Sequence, residues 1–115
     1  MKEKAELING INFIALRLDG DAKAAKDLAF ALNKDLENLF LIVGTAGGGK
    51  ANLTIMISQE LVDGRKLNAG NIIRELAKEI QGGGGGQPHF ASAGGKDAGG
   101  FDRAFNKARE IVATS

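Results

Sequence analysis

The chain has no cysteine, one histidine and one proline among its 115 residues. Without cysteine there is neither a disulfide nor a thiolate metal site, a composition that fits a reducing compartment. A single histidine without thiols does not assemble a tetrahedral zinc shell. No apolar run approaches the ~20 residues that a membrane helix needs. The polar start, Met1-Lys2-Glu3-Lys4, also lacks the apolar core of a signal peptide. A cytoplasmic location with no membrane partner is the expectation. Catalytic groupings are equally scarce. The serine nearest His89 is Ser92, three residues away, and side chains three apart on a strand point to opposite faces. The carboxylates are scattered, with no close pair suited to general acid–base work. The chain itself reads as non-catalytic.

An excess of one charge is lacking too, since the formal net charge is +1. Its distribution is uneven. Residues 1–64 carry seven Lys and Arg against nine Asp and Glu, and residues 65–115 carry eight against five. The basic excess falls in the half that holds the histidine and the densest glycine, which suits a phosphate-bearing partner as well as it suits a solvated surface. The length allows one domain with one modest core, and 43% hydrophobic and 25% charged residues are ordinary for a globular protein.

Periodicity supplies the elements. Residues 6–18 read as one extended segment, with Gly10 at a bulge or bend. Asp19-Gly20-Asp21 is a turn, and Asp21 is placed to cap a helix carrying the stripe Ala25, Leu28, Ala29, Leu32 and Leu36. Residues 39–43 form a continuous apolar run suited to a central strand. Residues 53–57 alternate, so residues 44–52 read as the loop of a β-hairpin. Residues 61–67 read as a connection around the turn signal Asp63-Gly64. Asn68 caps a second helix whose apolar set is Ile72, Ile73, Leu76, Ala77 and Ile80, and Gly82 ends it in the left-handed conformation. Residues 88–93 form a last short strand. Asp97 caps a third helix over residues 98–113, with Phe101, Ala104, Phe105 and Ala108 in its stripe. Gly99 and Gly100 weaken its first turn and favour a later start. The predicted fold is α/β, a small mixed sheet of about four to five strands packed with two or three helices.

Two glycine-rich stretches carry the functional question. Gly44-Thr45-Ala46-Gly47-Gly48-Gly49-Lys50 satisfies seven positions of a phosphate-binding loop, but the eighth is Ala51 where a Ser or Thr hydroxyl should hold magnesium. Residues 53–57 beyond it are strand-like, whereas a phosphate loop must open a helix. The reading is a hairpin loop with one lysine, Lys50, as an isolated charge able to touch a phosphate.

The second stretch begins with five consecutive glycines, Gly82 to Gly86, and continues through Gln87-Pro88-His89-Phe90 to Ala91-Ser92-Ala93-Gly94-Gly95-Lys96-Asp97. Such a run is entropically costly to order. Main chain without β-carbons can present successive amides to phosphate oxygens. The candidate contact residues are therefore Gly82, Gly83, Gly84, Gly85, Gly86, Gln87, His89, Gly94, Gly95 and Lys96, with Phe90 as a flat face for an unpaired base. The alternative, a tight backbone crossing against a neighbouring helix, with Phe90 in the core, stays open on the residues alone.

This stretch resembles the glycine-rich motif of the carboxyl-terminal domain of alanyl-tRNA synthetases, a glycine run, Pro, then Ala-x-Ala-Gly-Gly-Lys-Asp before a helix. Leu16-Arg17-Leu18-Asp19-Gly20-Asp21, the hairpin, residues 66–70 and the helix opening Phe101-Asp102-Arg103-Ala104 resemble the family in order. Gln87, His89 and Phe90 depart from its usual residues. The resemblance implies a domain that binds the elbow of tRNA(Ala) and helps couple aminoacylation with editing. The chain would be a piece of a larger ligase whose ATP, magnesium and zinc belong to other domains, leaving no cofactor here. A stand-alone alanyl-tRNA editing protein with the same appendage, the substrate-binding domain of a DHH-type phosphoesterase, and a dimerisation module are the alternative readings. A homo-oligomer stays open.

Overall fold

Ile11, Phe13 and Ala15 face one way from strand β2 (Ile11–Asp19), and Ile14 and Leu16 face the other. That double-sided apolar pattern requires cover on both faces of the sheet. A computed structural model of the chain describes residues 6–19, 22–47 and 49–114. The proposed cap Asp21 and the first five residues lie outside these.

Strand β1 (Glu6–Ile8) turns back into β2 through Asn9 and Gly10, at φ 54° and 80°. Positive φ at both central positions is what a two-residue hairpin turn demands. Residues 6–18 are therefore a hairpin and not one extended segment. Helix α1 (Ala22–Asp35) crosses from β2 to the parallel strand β3 (Leu39–Gly47). Strand β4 (Lys50–Ile57) pairs antiparallel with β3 out to Gly47 opposite Lys50. The nine-residue loop expected at residues 44–52 is thus mostly ladder, because the register continues through Thr45 and Ala46. Residues expected as a plain connection contain helix α2 (Gln59–Gly64).

Helix α3 (Ala69–Leu76) is capped as expected by Asn68, whose side chain accepts from the Asn71 amide at 3.1 Å. It tightens into a 3₁₀ turn, Ala77–Ile80, and ends at Gln81, which takes the left-handed conformation (φ 55°) in place of Gly82. The glycine run then forms a strand, β5 (Gly83–Gly86), paired antiparallel with β6 (Phe90–Gly95). Asp97 accepts from the Gly99 amide at 2.9 Å, and a 3₁₀ turn, Ala98–Gly100, leads into helix α4 (Phe101–Ala113).

The sheet order is β1-β2-β3-β4-β6-β5. Six strands and four helices among the described residues exceed the four to five and two or three expected, within the same mixed α/β class. The larger core, with Phe13, Phe40, Leu53, Ile55 and Phe101, lies under α3 and α4. The smaller, with Ile14, Leu41, Val43 and Met56, lies under α1. Each such side chain removed from water contributes about 1.5–3 kcal/mol before entropy is counted. α1 packs on β3 and β4, whereas Ser92 and Gly94 on the same face of β6 are exposed. No helix among the described residues is long and apolar enough to cross a membrane.

Candidate nucleic-acid interface

The glycine motif is built as two adjacent strands held from both ends. The Gly82 amide donates to the Ala77 carbonyl at 2.9 Å, fixing the entry to β5. At the β5–β6 turn the Gln87 amide donates to the Phe90 carbonyl at 2.9 Å. The carbonyls of Pro88 and His89 in turn accept from the amides of Ala69 and Ile57, both at 2.8 Å. Beyond β6 the amides of Lys96 and Asp97 both donate to the Ile80 carbonyl, at 2.8 and 3.0 Å. Amides at the ends of the motif are therefore committed to the protein itself. β5 lies at the sheet edge, with one long side of its main chain turned away from β6.

The glycines divide into two kinds. A β-carbon on Gly84 would collide with the Ser92 carbonyl oxygen and the Ala93 Cα, and one on Gly82 with the Gly94 carbonyl. One on Gly86 would lie 2.6 Å from the Ala91 Cα. These three serve close packing of β5 on β6, a contact with a neighbouring strand and not the crossing against a helix that the alternative reading expected. On Gly83 an added β-carbon would meet nothing within 4 Å, and on Gly94 only the Asn52 side chain at 3.4 Å. No such collision demands glycine at either position.

Gly94 belongs to a cleft of about 680 Å³ at one end of the sheet, walled by Gly49 to Asn52, by Gln81 and Gly82, and by Gly94 to Lys96. The walls meet because β4 pairs with β6, setting Ala51 against Gly95 and Asn52 against Gly94. The paired register ends at Ala51 opposite Gly95, and Lys50 and Lys96, the next residue on each chain, both line the cleft. Both lysines are exposed, and neither makes an ion pair among the described residues. Two like charges lining one cleft repel, so the pair favours an anion between them. The other predicted residues lie elsewhere. Gly85, Gly86, Gln87 and His89 line a separate hollow of about 360 Å³ that also holds Ser92, with no hydrogen bond joining His89 to Ser92 among those described. Gly83 and Gly84 line neither. Sequence reasoning misses Lys50, Asn52 and Gln81 as members of the cleft. Lys50 belongs to the false phosphate loop, and the β4 strand after it upholds that rejection while placing its charge at the cleft.

An ionic cluster braces the Lys96 turn. Glu79, in the 3₁₀ turn after α3, accepts from Arg103 Nε at 3.1 Å and lies 3.4 Å from Lys107 Nζ, both on α4. Hydrogen bonds from Arg103 and then Lys107 hold its carboxyl below the usual glutamate range. A folded-state pKa below the unfolded one stabilises the fold above the unfolded value, and this contribution is lost as pH falls through the folded value. Glu79→Gln is accordingly expected to lower the urea midpoint near neutral pH, the gap to the parent chain closing as pH falls below the usual glutamate range. A gap constant with pH would remove the cluster from the stability balance. Among the described residues no three His, Cys, Asp or Glu gather to hold a metal.

Comparison with known proteins agrees with this architecture. The chain is 50% identical over 112 residues to alanine–tRNA ligase of Christiangramia forsetii, covering 97% of this chain and 13% of that protein. It is likewise 50% identical over 106 residues to the Bacteroides fragilis enzyme, covering 91% and 12%. The chain thus spans about an eighth of the length of these relatives. The crystal structure of the C-Ala domain from Aquifex aeolicus alanyl-tRNA synthetase superposes with a TM-score of 0.87 at 29% identity, over 96% of this chain and 98% of that one. Residues 10–114 match the DHHA1 domain, and the chain belongs to that family.

Proposed function

We propose that this chain is the tRNA-holding domain of an alanine–tRNA ligase, without catalysis of its own. The observation that carries the reading is one cleft lined by Lys50 and Lys96, both exposed and without ion pairs among the described residues, together with the main chain of Gly82, Gly94 and Gly95. Two cations in one cleft with glycine main chain beside them suit a phosphate backbone, which calls for positive charge and close approach. The relatives' ligase function supplies the substrate, tRNA(Ala), and the resemblance supplies the elbow as the part held. Gripping that folded corner would keep one tRNA attached while other domains charge and proofread its far end, with ATP, magnesium and zinc used there.

Titration of labelled tRNA against the 115-residue chain tests this. Binding is expected at low salt, weakening steeply as salt rises, with an RNA duplex of equal charge bound more weakly. Equal affinity for duplex and tRNA would leave only nonspecific attraction, and no binding at low salt would overturn the proposal.

A further inference from the structure

On the face of β6 that also carries Gly94 of the lysine cleft, α1 covers Phe90 through Phe30 and leaves Ser92 exposed, and two adjoining hollows lie there. One, of about 380 Å³, is lined by Lys23, Lys26, Thr54, Phe90 and Ser92. The other, of about 360 Å³, shares Lys26, Phe90 and Ser92 with it and adds Phe30, Gln87 and His89. Neither lysine of the first cleft takes part.

Three independent features are out of place here unless something binds. Thr54 is 1% exposed, and its hydroxyl has no hydrogen-bond partner among the described residues. A buried hydroxyl without a partner costs folding free energy that a valine of the same shape would not. Lys23 and Lys26 stand in the first turns of α1, where the helix end is already positive, and the first turn has no acid. Neither makes an ion pair among the described residues. Phe30 is 42% exposed and rests against Phe90, ring centroids 5.4 Å apart and planes tilted by 30°. An apolar plane is thus left to solvent beside two cations.

A flat apolar face, two cations and hydroxyl groups, spread over two adjoining hollows that share Lys26, Phe90 and Ser92, match the parts of a nucleotide: base, phosphate, and base edge or ribose. We infer that this surface is a second contact, taking one unstacked nucleotide: the base against Phe30 and Phe90, the phosphate between Lys23 and Lys26, and a polar edge at Thr54 and Ser92. It rests on the RNA reading above only for the source of that nucleotide.

The test titrates the chain with a labelled single-stranded tetra-adenosine RNA, with adenosine monophosphate and with inorganic phosphate, following backbone amides by NMR. Tetra-adenosine is expected to shift the amides of residues 85–92 and to leave those of Lys50 and Lys96 in place. Phe30→Ala should weaken it about tenfold, and Lys26→Gln should flatten its salt dependence by roughly one phosphate contact. Thr54→Val separates binding from folding, since it should raise the melting temperature while weakening the RNA several-fold. Unchanged affinity in both Phe30→Ala and Thr54→Val overturns the inference, as does tetra-adenosine that shifts only the lysine cleft. Monophosphate bound as tightly as tetra-adenosine would make a free nucleotide the occupant, and phosphate bound equally well would overturn the role of the base. Lys50→Gln with Lys96→Gln should leave tetra-adenosine affinity unchanged, so the two sites fail separately.

Discussion

Gly84→Ala is expected to destabilise the domain by about 1–3 kcal/mol, the range for a methyl that forces backbone to shift, read as a urea midpoint lowered by roughly 1 M. Gly84 lies in the middle of β5, and its missing β-carbon is the space that the Ser92 carbonyl and the Ala93 Cα fill. The neighbour is main chain, which cannot rotate aside as a side chain would. To admit a methyl, β5 must move off β6. It would then lose its place beside α3, where Gly70 already approaches the Gly86 carbonyl oxygen too closely for a β-carbon of its own, at 2.7 Å. Gly94→Ala supplies the contrast, because its β-carbon would have an ordinary 3.4 Å contact with Asn52. That variant is expected to stay within about 0.5 kcal/mol of the parent while binding tRNA more weakly, since its methyl would stand on the cleft floor. A stable Gly84→Ala would contradict the close pairing of β5 with β6.

Lys50→Gln combined with Lys96→Gln is expected to weaken tRNA binding at low salt by about tenfold or more, each lysine supplying one charge-assisted contact. The slope of log affinity against log salt should fall by roughly two, one per phosphate lost. Stability should not fall, because both side chains are exposed and without ionic partners among the described residues. Relief of their mutual repulsion favours a small rise. An unchanged salt slope would place the RNA on another surface.

Elements with a strong hydrophobic period are legible in the sequence. α1, α3 and α4 arise from stripes at helical spacing, and the caps Asn68 and Asp97 from side chains that accept early amides. β5 is not legible, because four glycines have no hydrophobic period; that segment is a strand only because β6 lies beside it. The β3–β4 loop reads longer than it is, since Gly44, Ala46 and Gly47 do not look like strand by type and owe their state to pairing. α2, at six residues, is too short to show a stripe. Within the candidate site, the predicted residues Gly82, Gly94, Gly95 and Lys96 do meet. Lys50 joins them through strand register, which no local pattern records.

The central claim is that RNA lies against bare main chain between Lys50 and Lys96, and amide chemical shifts during tRNA titration report on it most directly. The expected result is a contiguous set of perturbed amides at Gly49, Ala51, Gly82, Gly94 and Gly95, saturating with the binding curve. Saturable tRNA binding that leaves those amides unmoved and perturbs only the exposed face of α4 would contradict it.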